Sequence, residues 1–172
     1  SFDVVNRFRI MVKQTVGLKK IKVGHTGTLD PKATGLLLLC TGRATKQIEQ
    51  LMLDRKEYVA TLKFGATTPS FDLEHPEDAH YPYEHITQGM LEEALQEFLG
   101  TTLQVPPIFS AVSVGGKRAY DLARKGKDCQ LEGKPITIHE LEVVSFEPPY
   151  ATLRISCGKG TYIRSLARDL GK

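Results

Sequence analysis

Residues 135–158 read PITIHELEVVSFEPPYATLRISCG, and the fold class turns on this run. Its two halves, PITIHELEVVSF and ATLRISCG, are rich in β-branched residues and read as strands, a hairpin-like pair late in the chain. The segment TYIRSLARDLGK that follows starts a helix. Upstream, VPPIFSAVSVGGKRAYDLARKG combines a rigid Pro-Pro entry, a short strand, a Gly-Gly turn and a basic helix. ITQGMLEEALQEFLG carries Leu91, Ala94, Leu95 and Phe98 at helical spacing and predicts a helix ended by Gly100.

Further toward the N-terminus, KEYVATLKFG alternates through Tyr58, Ala60, Leu62 and Phe64 as a half-buried strand does. The acidic FDLEHPEDAHYPYEH, broken by two prolines, reads as a surface loop. ATKQIEQLMLD predicts a helix, and the glycine-bounded GLLLLCTG a short buried strand. SFDVVNRFRIMVKQ places Phe2, Val4, Val5, Phe8, Met11 and Val12 near helical periodicity, with Ser1 as its N-cap. Strands and helices thus alternate irregularly, which fits a mixed α/β or α+β sheet better than a doubly wound one.

With 172 residues, 41% hydrophobic and 25% charged, the chain suits one globular domain. No apolar run approaches the ~18 residues of a membrane span, and the opening lacks a signal-peptide pattern, so a cytoplasmic location is expected. Cys40, Cys129 and Cys157 lie far apart without CxxC spacing, which argues against a disulfide framework or a zinc site. His75, His80 and His85 recur at a spacing of five in the acidic loop, matching neither one helix face nor a tight chelating turn; they read as solvated loop residues. No P-loop, GxGxxG, HExxH or GxSxG is present.

The net charge of +3 is unevenly spread. Arg7, Arg9, Lys13, Lys19, Lys20 and Lys22 oppose only Asp3 before His25, and Lys117, Arg118, Arg124, Lys125 and Lys127 form a second basic cluster. Thr67 to Gly100 contains no Lys or Arg. Two readings stand: a positive face for a polyanion, or basic residues solvating helix surfaces.

Residues 24–31 read GHTGTLDP. Glycines allow φ > 0, and an Asp-Pro step can open a helix as N-cap and first-turn residue. It can equally display a carboxylate on a constrained turn. Asp30, Tyr58 and the GKGTYIR of residues 158–164 then form a possible constellation, because an arginine near a carboxylate keeps it ionised. Surface-helix arginine and strand-packing tyrosine are the plainer alternatives.

Taken together, GHTGTLDPKATGLLLLCTGRATK, KEYVATLKFG, VPPIFSAVSVGGKRAYDLARKG and GKGTYIRSLARDLG resemble the bacterial TruB family of tRNA pseudouridine synthases, in the family's order and over nearly the whole chain. The resemblance implies an α+β pseudouridine-synthase fold, a mixed and largely antiparallel sheet flanked by helices and loops. It implies isomerisation of uridine 55 in the tRNA T loop, without cofactor or metal.

By the same resemblance, Asp30 is the catalytic carboxylate and His25 contacts the RNA near the flipped nucleotide. Tyr58 stacks on the target uracil and takes part in proton transfer, Tyr162 contacts substrate, and Arg164 pairs with the aspartate. Lys117 and Arg118, with Arg124 and Lys125, become phosphate contacts, and their segment a mobile clamp over the T loop. Gly24 and Gly27 would let RNA approach the backbone, and Pro31 would bias Asp30 toward extended backbone.

The expected partner is the tRNA T stem-loop, bound by a monomer. Residues 1–172 are expected to be the catalytic domain, shortened at both ends relative to the family and without its C-terminal RNA-binding domain. Two alternatives stay open. One is the catalytic subunit of a guide-RNA-dependent synthase, the other a noncatalytic tRNA-binding or folding module.

Overall fold

A computed structural model describes residues 1–52, 55–110, 112–114, 116–119 and 131–172, with backbone alone at 114, 117 and 118. The chain divides into two compact units, Ser1–Asp54 and Arg55–Lys172.

The first unit begins with α1 (Phe2–Val16), closed by Gly17 in the left-handed conformation at φ 69°, where glycine pays no Cβ penalty. Val5 is its buried residue; Phe2 and Val4 stay exposed. β1 (Val23–His25) pairs antiparallel with β2 (Leu39–Thr41). The strand expected from GLLLLCTG is therefore only its last part, since Leu36 is 91% exposed and lies before β2. Leucine runs without alternation do not distinguish a strand from a loop. The predicted helix after it starts as a 3₁₀ segment, Gly42–Gln47, and becomes one α-turn, α2 (Ile48–Leu51).

The second unit is built on a four-stranded antiparallel sheet. β3 (Lys56–Lys63), β10 (Tyr150–Cys157), β9 (Lys134–Glu147) and β6 (Gly100–Gln104) follow one another in that spatial order. The β9–β10 hairpin is the one read from residues 135–158, turning at Pro148-Pro149, whose peptide bond is cis. Period-two alternation turns Ala151, Leu153 and Ile155 to the inside, while Arg154 reaches Glu142 at 2.8 Å and Glu57 at 3.6 Å on the other face.

α3 (Gln88–Gln96) contributes Leu91 and Leu95 to the core, and α4 (Ile163–Leu170) contributes Leu166. They join Leu62, Ile136, Ile138, Ala151, Leu153, Ile155 and Cys157 in one apolar cluster. Burial pushes the Cys157 thiol up from its ordinary value of 9.0, partly offset by Thr161.

α3 starts at Thr87, whose hydroxyl accepts from the Met90 amide, and ends at Gln96, before the expected Gly100. Gly100 at φ 83° instead turns the chain into β6. The acidic loop is more ordered than expected: β5 (Ala79–His80) returns to pair with β4 (Ala66–Thr67). β7 (Ser113–Val114) pairs antiparallel with β8 (Lys117–Arg118), so Lys117 and Arg118 lie on a strand where the sequence reading placed the start of the basic helix. The rest of the predicted basic helix, with Arg124 and Lys125, lies outside the described residues, as do Lys127 and Cys129. Among the described residues no helix is long and apolar enough to cross a membrane.

Candidate active site

Asp30 sits in the loop joining β1 to β2. The Thr26 amide bonds the Leu38 carbonyl at 3.2 Å, closing the loop's base, and the Ala33 amide bonds the Asp30 carbonyl at 3.0 Å. That second bond defines a four-residue turn with Pro31 in its second position, where the fixed proline φ is favourable. The carboxylate is thus carried on a turn rather than at a helix start, and Asp30 is half-buried.

The Leu29 amide donates to the Ser1 hydroxyl at 2.9 Å, so the residue before Asp30 is anchored to the start of α1. His25 Nδ1 donates to the Gly27 carbonyl; a carbonyl only accepts, so this ring nitrogen carries hydrogen and Nε2 is the other tautomeric position. A Cβ on Gly24 would lie 2.6 Å from Ile48 Cδ1, the flexible end of a side chain on α2, which would have to turn aside.

In the second unit, Tyr58 lies on β3 opposite Ile155 and packs, half-buried, at the core's margin. Tyr162 precedes α4 in extended conformation. Its backbone is clamped by the buried Gln104 side chain, whose amide donates to the Tyr162 carbonyl at 3.1 Å and whose oxygen accepts from the Tyr162 amide at 2.8 Å. Gln104 was not singled out from sequence, because a lone polar residue at a strand end has no local signature.

Arg164, in the first turn of α4, has a side chain only 13% exposed. Nη1 donates to the Ser70 carbonyl at 3.2 Å and Nη2 to the Phe109 carbonyl at 3.1 Å, and Nη1 lies 3.5 Å from Asp72 Oδ2. Asp72 is therefore a carboxylate partner of Arg164 that the sequence reading passed over as part of an acidic surface loop. Its signal was local: the Thr68 hydroxyl accepts from the Asp72 amide, and the Asp72 carboxylate accepts from the Glu74 amide. A Thr-x-Ser-x-Asp string has this turn chemistry. The expected Asp30–Arg164 pair joins residues of different units and belongs to the proposal below. Lys117 and Arg118 lie on β8, where the backbone alone is described. Among the described residues no group of three or more His, Cys, Asp or Glu could hold a metal.

Residues 13–163 match the model of the TruB family pseudouridylate synthase N-terminal domain. The tRNA pseudouridine synthase B of Parabacteroides distasonis is 57% identical over 172 residues, covering all of this chain and 73% of that protein. That of Phocaeicola vulgatus is 58% identical with the same coverage. Among solved structures, a chain of a Cbf5-Nop10-Gar1 complex superposes with a TM-score of 0.64 at 27% identity, over 95% of this chain and 39% of that chain. An H/ACA RNP bound to a substrate RNA containing 2'-deoxyuridine shares the fold at 22% identity and a TM-score of 0.60.

Proposed function

Because the chain belongs to the TruB family of pseudouridylate synthases, we propose that it isomerises uridine 55 in the T loop of tRNA, with Asp30 as the catalytic carboxylate. The observation that carries this reading is the Asp30 turn, a half-buried acid whose preceding residue is anchored to the start of α1, within the matched residues 13–163. The reaction breaks the N1–C1′ bond, turns the trapped uracil, and forms a C5–C1′ bond while the C5 hydrogen leaves as a proton and N1 takes one up. Atoms and electrons balance without an external co-reactant.

Asp30 acts at the sugar, either as a nucleophile at C1′ or as a base in an elimination route. The target base must leave its stack at a cost of a few kcal/mol, and the Tyr58 ring offsets part of that by restacking it. Arg164 supplies a cation for the Asp30 carboxylate, Tyr162 contacts the nucleoside, and His25 contacts RNA beside it. Lys117 and Arg118 serve phosphates of the T stem-loop. The identity to stand-alone tRNA pseudouridine synthases, 57% against 27% to the chain of the Cbf5-Nop10-Gar1 complex, favours action on naked tRNA.

Tritium release from a T-arm hairpin labelled at C5 of uridine tests the assignment as an enzyme. Release in proportion to pseudouridine formed, without added protein or guide RNA, is expected. Tight binding with no release would make the chain a binding module, and release only with a guide RNA would make it a subunit.

A further inference from the structure

The histidine set aside above as a solvated loop residue touches both residues whose carbonyls hold Arg164. His75 Nδ1 lies 2.8 Å from Ser70 Oγ, and its ring meets that of Phe109 with centroids 4.9 Å apart and planes at 40°. The Ser70 and Phe109 carbonyls accept from Nη1 and Nη2 of Arg164.

Hydrogen-bond directions in this cluster are fixed by what each atom can do. Ser70, 1% exposed, has one hydroxyl proton, and Asp72 Oδ1 at 2.6 Å can only accept it. Ser70 Oγ must then accept from His75, so Nδ1 carries hydrogen. The same assignment rules out a hydrolase-type triad, in which the histidine would withdraw the serine proton rather than donate to its oxygen. With Oδ1 occupied by Ser70 and by the Glu74 amide at 2.9 Å, Asp72 Oδ2 is left facing Arg164; it is buried and takes no hydrogen bond of its own.

Phe71, between Ser70 and Asp72, adopts φ 58°, a costly conformation for a bulky residue. It is the kink that lets the Ser70 carbonyl and the Asp72 carboxylate address one guanidinium, and the Arg168 guanidinium covers its ring at 5.3 Å.

We propose that His75 is a positioning residue for Arg164: its Nδ1–H sets the Ser70 hydroxyl toward Asp72, and its ring braces Phe109, so that both carbonyls and the carboxylate present a preformed socket to the arginine. The proposal rests on the reading of Arg164 as part of the reacting site. A guanidinium displaced by about an ångström reaches the same substrate with a poorer approach, which lowers turnover more than binding.

The test is single-turnover pseudouridine formation on unmodified tRNA by the full-length protein. His75→Ala should slow the step by roughly 10- to 100-fold, with tRNA affinity and thermal midpoint close to wild type. His75→Asn, which returns an N–H near the Nδ1 position, should recover part of the rate, while His75→Phe, which keeps only the ring, should recover less. In an Arg164→Lys background, His75→Ala should add little further loss, since it acts through the arginine. A wild-type rate for His75→Ala, or an equal loss in both backgrounds, overturns the proposal. If Asp30→Asn and Arg164→Lys both turn over normally, the site reading itself has failed.

Discussion

The hydroxyl of Ser1 stands where a helix N-cap would use it, yet it makes no cap bond and instead holds the Leu29 amide beside Asp30. Ser1→Ala should therefore leave helix content unchanged while lowering kcat several-fold with little change in KM; Ser1→Thr, which keeps the oxygen, should restore most of it. Circular dichroism paired with steady-state kinetics checks both halves. Residue chemistry of this kind was only partly legible. The Asp-Pro step was legible as a turn, because proline constrains it. Asp72 showed only its local turn chemistry, and His75 nothing, since the contacts that give them meaning run from Asp72 to Arg164 and from His75 to Phe109, separations over which local periodicity carries no information.

Among the elements, β6 and α4 are joined by one side chain. Gln104 bonds both backbone groups of Tyr162, whose carbonyl also accepts from the Leu166 amide at 3.1 Å, so Gln104→Ala leaves the Tyr162 amide unpaired and should cost about 1–3 kcal/mol. Gln104→Glu should be no better, because a carboxylate accepts from the Tyr162 amide but cannot donate to its carbonyl. Urea unfolding measures the loss, and Gln104→Ala should also raise KM for tRNA if Tyr162 contacts substrate. The β9–β10 hairpin and α1 were readable because each runs long enough for its own period to emerge. The leucine run before β2 was misread for the opposite reason: Gly35–Leu38 is apolar throughout, so nothing in it separates an exposed loop from a buried strand.

At the scale of the whole molecule, acid stability has an identifiable contributor. Burial pushes the Asp169 carboxyl up, but hydrogen bonds from Arg168 and Lys172 outweigh it, and the group is held below its ordinary 3.8. A carboxyl depressed by folding stabilises the native state above its unfolded pKa, and that contribution is lost as pH falls through the folded value. Asp169→Asn should lower the thermal midpoint at pH 7, and the gap from wild type should close as pH drops below 3.8. The same scale holds the central claim, that Asp30 is the catalytic carboxylate of the proposed reaction. The most direct measurement compares the full-length protein and its Asp30→Asn variant on unmodified tRNA, recording affinity and the pseudouridine formed at position 55. Unchanged affinity with no pseudouridine is the predicted result; turnover by Asp30→Asn at the wild-type rate would contradict it.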